Sequence, residues 1–211
     1  MDNTTLTRKE REKIRRKEEI LEAALNLFSI RGFHNVSMQD VAAESEFAVG
    51  TLYNFFQSKE QLFAELLNDC AEKIYQLLWP ILENKQQEDE RIRTFIKAHG
   101  KLAEENIKFI KLYVSEYGNL TPVQRPPVKE AEEIKSVLYK KLEDTIKSGI
   151  DKKIFRPIDS EILALAMIST TQSFILESSK DFIKAQVEEG LAKIEQLFLD
   201  MLLLPENRHN G

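Results

Sequence analysis

The stretch Ser37–Leu62, SMQDVAAESEFAVGTLYNFFQSKEQL, gathers hydroxyl, amide and small side chains and holds a single lysine. The Ser37 and Tyr53 hydroxyls and the Lys59 ammonium suit phosphate oxygens. Asn54 carries an amide able to read an adenine edge, while Val49 and the Thr51 methyl suit thymine methyls. Gly50 has no side chain, which allows a helix to lie close against a duplex. Gln39 and Ala48 complete this candidate DNA-facing set. Neither Arg nor Lys occurs between Ala48 and Asn54, so bidentate recognition of guanine is not available there. Each good base contact discriminates by about 1–3 kcal/mol, so one copy has modest specificity and a second copy doubles the contacts.

A second, looser group comprises Trp79, His99, Tyr113, Glu116, Tyr117 and Gln172. Polar groups of this kind within apolar surroundings suit a small-molecule pocket, and they are equally ordinary interior residues. Enzyme chemistry fares poorly. His34, His99 and His209 lie far apart, without the spacing of metal ligands. Cys70, the only cysteine, sits on an apolar helical stripe and behaves as a small hydrophobe. No Gly-rich phosphate loop follows a strand. No catalytic residue, metal or cofactor is expected.

Three short helices must position the first group. Ser37 is a good N-cap with Asp40 three residues on, close to a capping box, and Val41 and Ala42 face inward. A second helix starts near Ala48 and buries Leu52 with Phe55 or Phe56. A third opens at Ser58, with Glu60 and Gln61 in its first turn and Leu62 and Phe63 inward. Two short crossing helices joined by a tight turn make a helix-turn-helix, whose second helix enters the major groove. Upstream, Ile20, Ala23, Ala24, Leu27 and Phe28 form a supporting stripe, stopped by Gly32 as a C-cap glycine does. Arg8–Lys17 is rich in Lys and Arg interleaved with Glu10 and Glu12. That pattern fits a solvated face with i,i+4 pairs, and equally an arm lying on phosphates.

Val41-Ala42, Phe47, Gly50, Tyr53, Phe55-Phe56, Lys59-Glu60 and Leu62-Phe63, with Ile20–Phe33 upstream, resemble the DNA-binding head of the TetR family of bacterial transcriptional regulators. The resemblance covers Arg16 to Leu67; beyond it the chain is similar only in length and helical character. It implies phosphate contacts for Tyr53 and Lys59 and a four-helix dimer interface from the last two helices. Two positions depart from the family pattern. Glu46 stands where the family usually has glycine, so the turn is either left-handed at a non-glycine residue or of another type. Ala48 stands where Ser or Thr is frequent, which removes a hydroxyl able to cap the helix or touch phosphate. Both bear on DNA preference.

The remaining sequence supports an all-α fold of about nine helices. The chain of 211 residues is 42% hydrophobic, with 7 Gly and 6 Pro, a scarcity of breakers that favours helices. A net charge of −5 is compatible with DNA binding when basic residues are concentrated. No apolar run approaches membrane-spanning length, no signal core opens the chain, and a lone cysteine fits a reducing cytoplasm. The expected division is a head, 1–56, with its basic arm at 8–17, and a ligand-binding and dimerisation body, 57–211. A rod from Ser58 to Leu78, ending before Pro80, joins them. Gly118–Val128 reads as a loop within the body. A helix from Val128 to about Ser148 is ended by Gly149 and the segment Asp151–Pro157, and Asp159 caps the next. Helices at about 160–179 and 182–203 are the expected dimer contact, the first apolar enough all round to be buried on both faces. The functional expectation is a homodimeric repressor that releases a palindromic DNA operator when a small lipophilic molecule enters the body. The alternatives are an activator of the same build, a helical adaptor that does not bind DNA, and a helical enzyme using the cavity.

Overall fold

The computed structural model describes residues 7–117 and 129–205, with Tyr117 described by its backbone alone. Among these residues the regular structure is helical: α1 Arg8–Arg31, α2 Met38–Glu44, α3 Val49–Tyr53, α4 Lys59–Glu83, α5 Glu88–Glu105, α6 Ile107–Tyr117, α7 Lys129–Asp151, α8 Ser160–Ser178 and α9 Lys184–Leu202. A 3₁₀ turn, Phe33–Asn35, lies between α1 and α2. The chain divides into two compact units, Met1–Asp69 with Lys111–Pro126, and Cys70–Ile110 with Pro127–Gly211. Helices α4 and α6 each belong in part to both. The expected loop Gly118–Val128, the tail before Thr7 and His209 lie outside the described residues.

The first unit has its own core. Ile20, Ala24, Leu27 and Phe28 of α1 meet Val41 and Ala42 of α2, Leu52 of α3, and Leu62, Phe63 and Leu66 of α4. Leu112 of α6 joins them, 1% exposed. The Phe28, Phe33 and Phe63 rings pack with centroids 5.0–6.1 Å apart. The basic arm does not precede the first packed helix but is its opening. Thr7 caps α1 in a reciprocal box with Glu10, which satisfies N–H groups the helix start leaves unpaired. Gly32 ends α1 at φ +79° and donates its N–H to the Phe28 carbonyl.

In the second unit the core is built from α4 (Leu78, Leu82), α5 (Ile92, Phe95, Ile96), α7 (Leu138, Leu142, Ile146), α8 (Leu163, Met167) and α9 (Leu191, Phe198). Two expectations need correction. Helix α4 does not stop before Pro80 but runs through it to Glu83. Proline removes one helical hydrogen bond; here Leu78 and Leu82 are 2% and 0% exposed on either side, and Trp79 Nε1 donates to Glu83 across the site. Gly149 does not end α7, which continues to Asp151. A Cβ there would lie 2.1 Å from the Phe155 ring, so this glycine makes room for an aromatic side chain. In the single chain α8 turns Leu163, Met167 and Ile175 to the core and leaves Ile162 and Leu165 65% and 56% exposed. Between α8 and α9, Gly190 receives the Phe174 ring, where a Cβ would stand 2.0 Å from Cζ.

Buried charge in this unit is paired. Glu88, 1% exposed, accepts from Arg91, Ser148 and Lys152 at 2.7–2.8 Å. Burial pushes its carboxyl pKa up, but the Lys152 and Ser148 hydrogen bonds pull harder and leave it below the ordinary range. Glu195 of α9 takes Arg93 of α5 at 3.2 Å.

Candidate nucleic-acid interface

The helix-turn-helix is built as its local sequence dictates. Ser37 caps α2: its hydroxyl accepts from the Asp40 N–H at 3.1 Å, and the Asp40 carboxylate accepts the Ser37 N–H at 2.8 Å. The Ser37 hydroxyl also donates to Asp40 Oδ2, and this bond, with the one from the Ser37 N–H, holds the Asp40 carboxyl below its ordinary pKa. The turn to α3 is closed by Phe47 N–H on the Ala42 carbonyl, 3.0 Å, and by the Ser45 hydroxyl on the Val41 carbonyl, 2.7 Å. Glu46 sits at φ +57°. Of the two turns open to a non-glycine residue here, the chain takes the left-handed one, which costs an L residue about 1–2 kcal/mol.

Helix α3 is short and turns one side to solvent. Leu52 is fully buried, Val49 and Thr51 are half-buried, and Ala48, Gly50, Tyr53 and Asn54 are exposed. Ala48 occupies the N-cap position without a side-chain hydrogen bond. A Cβ built at Gly50 meets nothing within 4 Å. Among the described residues no neighbour requires a glycine there. Ser37 and Gln39 are also exposed.

Lys59 is placed differently from a solvent-facing cation. Its Nζ donates to the Phe33 and Val36 carbonyls at 2.8 and 2.9 Å and lies 4.4 Å from the Phe33 ring centroid. An ammonium has three donors, so a further one remains for an outside acceptor. Sequence reasoning missed this clamp. One signal was present: a cation in the first turn of a helix opposes the macrodipole, which calls for compensating partners. In the arm, Arg15 pairs with Glu12 and Glu19, Arg16 with Glu12, and Lys17 with Glu65. The Arg15 and Arg16 hydrogen bonds hold the Glu12 carboxyl down at about 2. Both readings of the arm therefore have material: its second half is ion-paired, and Arg8, Lys9 and Lys13 are exposed.

The second group of candidate residues is divided between the two units. Glu116 and Tyr113 belong to the first unit, and the Glu116 carboxylate accepts the Phe33 N–H there at 3.2 Å. Trp79 is half-buried, stacked on Tyr75 with Lys141 Nζ 5.0 Å from its ring centroid. His99 is buried on α5, its Nδ1 2.8 Å from the Phe95 carbonyl, and burial lowers its pKa despite that hydrogen bond. Gln172 is exposed on α8, and the Tyr117 side chain lies outside the description. An open groove of about 430 Å³ in the second unit is lined instead by Lys73, Gln76, Leu77, Leu102, Glu105 and Asn106. Among the described residues no cluster has the make-up of a metal site, and no helix is long and apolar enough to cross a membrane.

Comparison with known proteins agrees with this geometry. Residues 20–66 match the family model for bacterial regulatory proteins of the tetR family, and residues 85–175 match the tetracyclin repressor-like C-terminal domain. The HTH-type transcriptional regulator YhgD of Bacillus subtilis is 33% identical over 177 residues, 79% of this chain and 86% of its own. The HTH-type transcriptional repressor KstR2 of Mycobacterium tuberculosis is 26% identical over 157 residues, 74% and 78% of the two chains. The structure of FadR from Bacillus subtilis in complex with stearoyl-CoA has the same fold, with a TM-score of 0.72 at 16% identity over 86% of this chain and 96% of that one. An exposed, cation-free recognition helix on a capped helix-turn-helix, matched family models at both ends and a relative of this identity lead to one conclusion: the chain belongs to the TetR family of DNA-binding transcriptional regulators, a family of regulators and not of enzymes.

Proposed function

We propose that this regulator is a cytoplasmic, homodimeric repressor that leaves a palindromic operator when a small lipophilic molecule binds its C-terminal domain. Residues 1–56 hold the DNA-reading surface and residues 57–211 the effector and dimer surfaces. The observation that carries the DNA reading is the solvent face of α3, where Ala48, Gly50, Tyr53 and Asn54 stand exposed beside the exposed cap Ser37. Val49 and Thr51 flank them for thymine methyls, Asn54 takes an adenine edge, and Ser37, Tyr53 and the remaining donor of Lys59 take phosphates. Gln39 completes the surface.

The dimer reading is supported by apolar side chains that the single chain leaves in water. Ile162 and Leu165 of α8 and Leu197 and Met201 of α9 are 43–65% exposed. An isologous contact through α8 and α9 covers them and sets two heads on one side of a duplex. A lipophilic effector is of the class of the stearoyl-CoA held by FadR, and the second unit has the larger apolar core. Binding that favours one arrangement of α4 and α6 shifts the population away from the DNA-competent state.

The test begins with a duplex selected by the wild-type protein from a randomised library. Its affinity falls steeply with salt when several phosphates are contacted, and the selected sequence is a palindrome. A protein that selects no duplex refutes the DNA surface. Small molecules that co-purify with the native protein are identified by mass spectrometry and added back at saturation. Unchanged DNA affinity refutes the effector coupling. In sedimentation, a Leu165→Glu and Leu197→Glu variant that stays dimeric refutes the interface.

A further inference from the structure

The turn that leads from α1 into α2 is held at both its donor and its acceptor groups. The Phe33 N–H donates to Glu116 Oε1 at 3.2 Å, from a residue 83 positions away on α6. The Phe33 and Val36 carbonyls accept from Lys59, the first residue of α4. The second Glu116 oxygen lies 3.6 Å from His34 Nε2. Gly32 beside it answers to backbone conformation, a φ of +79°, and not to space: a Cβ there would meet Glu116 Oε1 at an ordinary 3.9 Å. The Glu116 side chain is only 14% exposed. A carboxylate withdrawn from water in this way needs hydrogen-bond partners, and the turn supplies one.

This part of α6 is anchored in the head. Leu112, one helical turn earlier, is 1% exposed in the same core as Phe28, Phe63 and Val36. Residues 107–110 of α6 belong to the other unit. The gripped turn passes directly into Ser37, the cap of α2. Lys59 of α4 and Glu116 of α6 thus meet on one short turn, Phe33–Val36.

The geometry points to Glu116 as a positioning residue for the helix-turn-helix: it holds the Phe33–Val36 turn so that α2 and α3 face outward. The inference rests on the DNA-binding regulator reading above.

Glu116→Ala and Glu116→Gln separate this role from a simple charge effect. Removing a negative charge from a DNA-binding head strengthens duplex binding through the field alone. Losing the tether weakens it. On the library-selected duplex, Glu116→Ala binds about tenfold more weakly, the scale of one charge-assisted hydrogen bond. Glu116→Gln keeps an acceptor oxygen and returns to within about threefold of wild type. The salt slope stays that of wild type in both, because no phosphate contact is removed. A DNA-free readout accompanies this. Amide exchange by NMR on the full-length protein speeds up in Glu116→Ala at Phe33 and Asp40 and stays unchanged at Leu66. Glu116→Ala binding as tightly as wild type, or more tightly, overturns the positioning role. Unchanged exchange at Phe33 overturns the tether itself, whether or not a duplex is selected. A wild-type protein that selects no duplex, with exchange changed as stated, removes the DNA reading and leaves the tether standing.

Discussion

Replacing Glu46 by glycine should stabilise the head, although it removes a side chain and adds backbone freedom. Glu46 occupies the α2–α3 turn at φ +57°, a conformation that costs an L residue about 1–2 kcal/mol. Glycine escapes that cost and loses about 0.5–1 kcal/mol through the entropy of the unfolded chain. The difference leaves a gain of about 0.5–1 kcal/mol. Glu46 is exposed, so little packing is lost. Its charge is controlled for by Glu46→Gln, and its β-carbon by Glu46→Ala, which keeps the strain. Trp79, the only tryptophan, lies in the other unit, so its fluorescence does not isolate the head. Hydrogen exchange at the core amides of Val41 and Leu52 does. For amides that exchange through opening of the whole head, Glu46→Gly slows exchange about two- to fivefold relative to Glu46→Gln. Glu46→Ala matches Glu46→Gln. Equal or faster exchange in Glu46→Gly, or an equal gain in Glu46→Ala, refutes the strain argument.

Other perturbations have equally definite outcomes. Gly190→Ala drives a methyl into Phe174, 2.0 Å from Cζ, and lowers stability by about 1–3 kcal/mol, read as the urea midpoint from Trp79 fluorescence; an unchanged midpoint shows that α8 and α9 part at no cost. Burial lowers the His99 pKa below its ordinary 6.5, so the unfolded chain takes up a proton that the folded chain resists. Stability is therefore full above pH 6.5 and declines as pH falls towards the lowered folded value. Thermal midpoints from pH 7 to 5 fall less steeply in His99→Gln, and parallel slopes refute the assignment. Tyr53, 49% exposed, donates no packing the head depends on. Tyr53→Phe weakens duplex binding several-fold, the scale of one net hydrogen bond, while head stability and the salt slope hold; a slope change identifies a charged contact instead.

Local chemistry was legible in the residues because it is short-ranged. Ser37 and Asp40 lie within one helical turn, so the capping box follows from their spacing, and the stripe Ile20–Phe28 buries itself on the side its period selects. The α3 surface followed from the same logic, since Leu52 can face inward only if Gly50, Tyr53 and Asn54 face out. Breakers were less readable. Pro80 and Gly149 are helix stops by propensity, yet both lie inside helices, because Leu78 and Leu82 pack on either side of the first and the Phe155 ring needs the space beside the second.

What the order of residues could not contain was the pairing of groups far apart along it. That Lys59 binds the Phe33 and Val36 carbonyls, that Glu116 receives the Phe33 N–H, and that Gln172 faces solvent while His99 is enclosed depend on which helices adjoin. Side-chain periodicity says which face of a helix is buried, and it carries no term for the neighbour that buries it. The sequence by itself determined a helical regulator with a bare recognition surface. Tertiary structure alone decided which charges grip the Phe33–Val36 turn, because Lys59 and Glu116 reach it from helices 23 or more residues further along the chain.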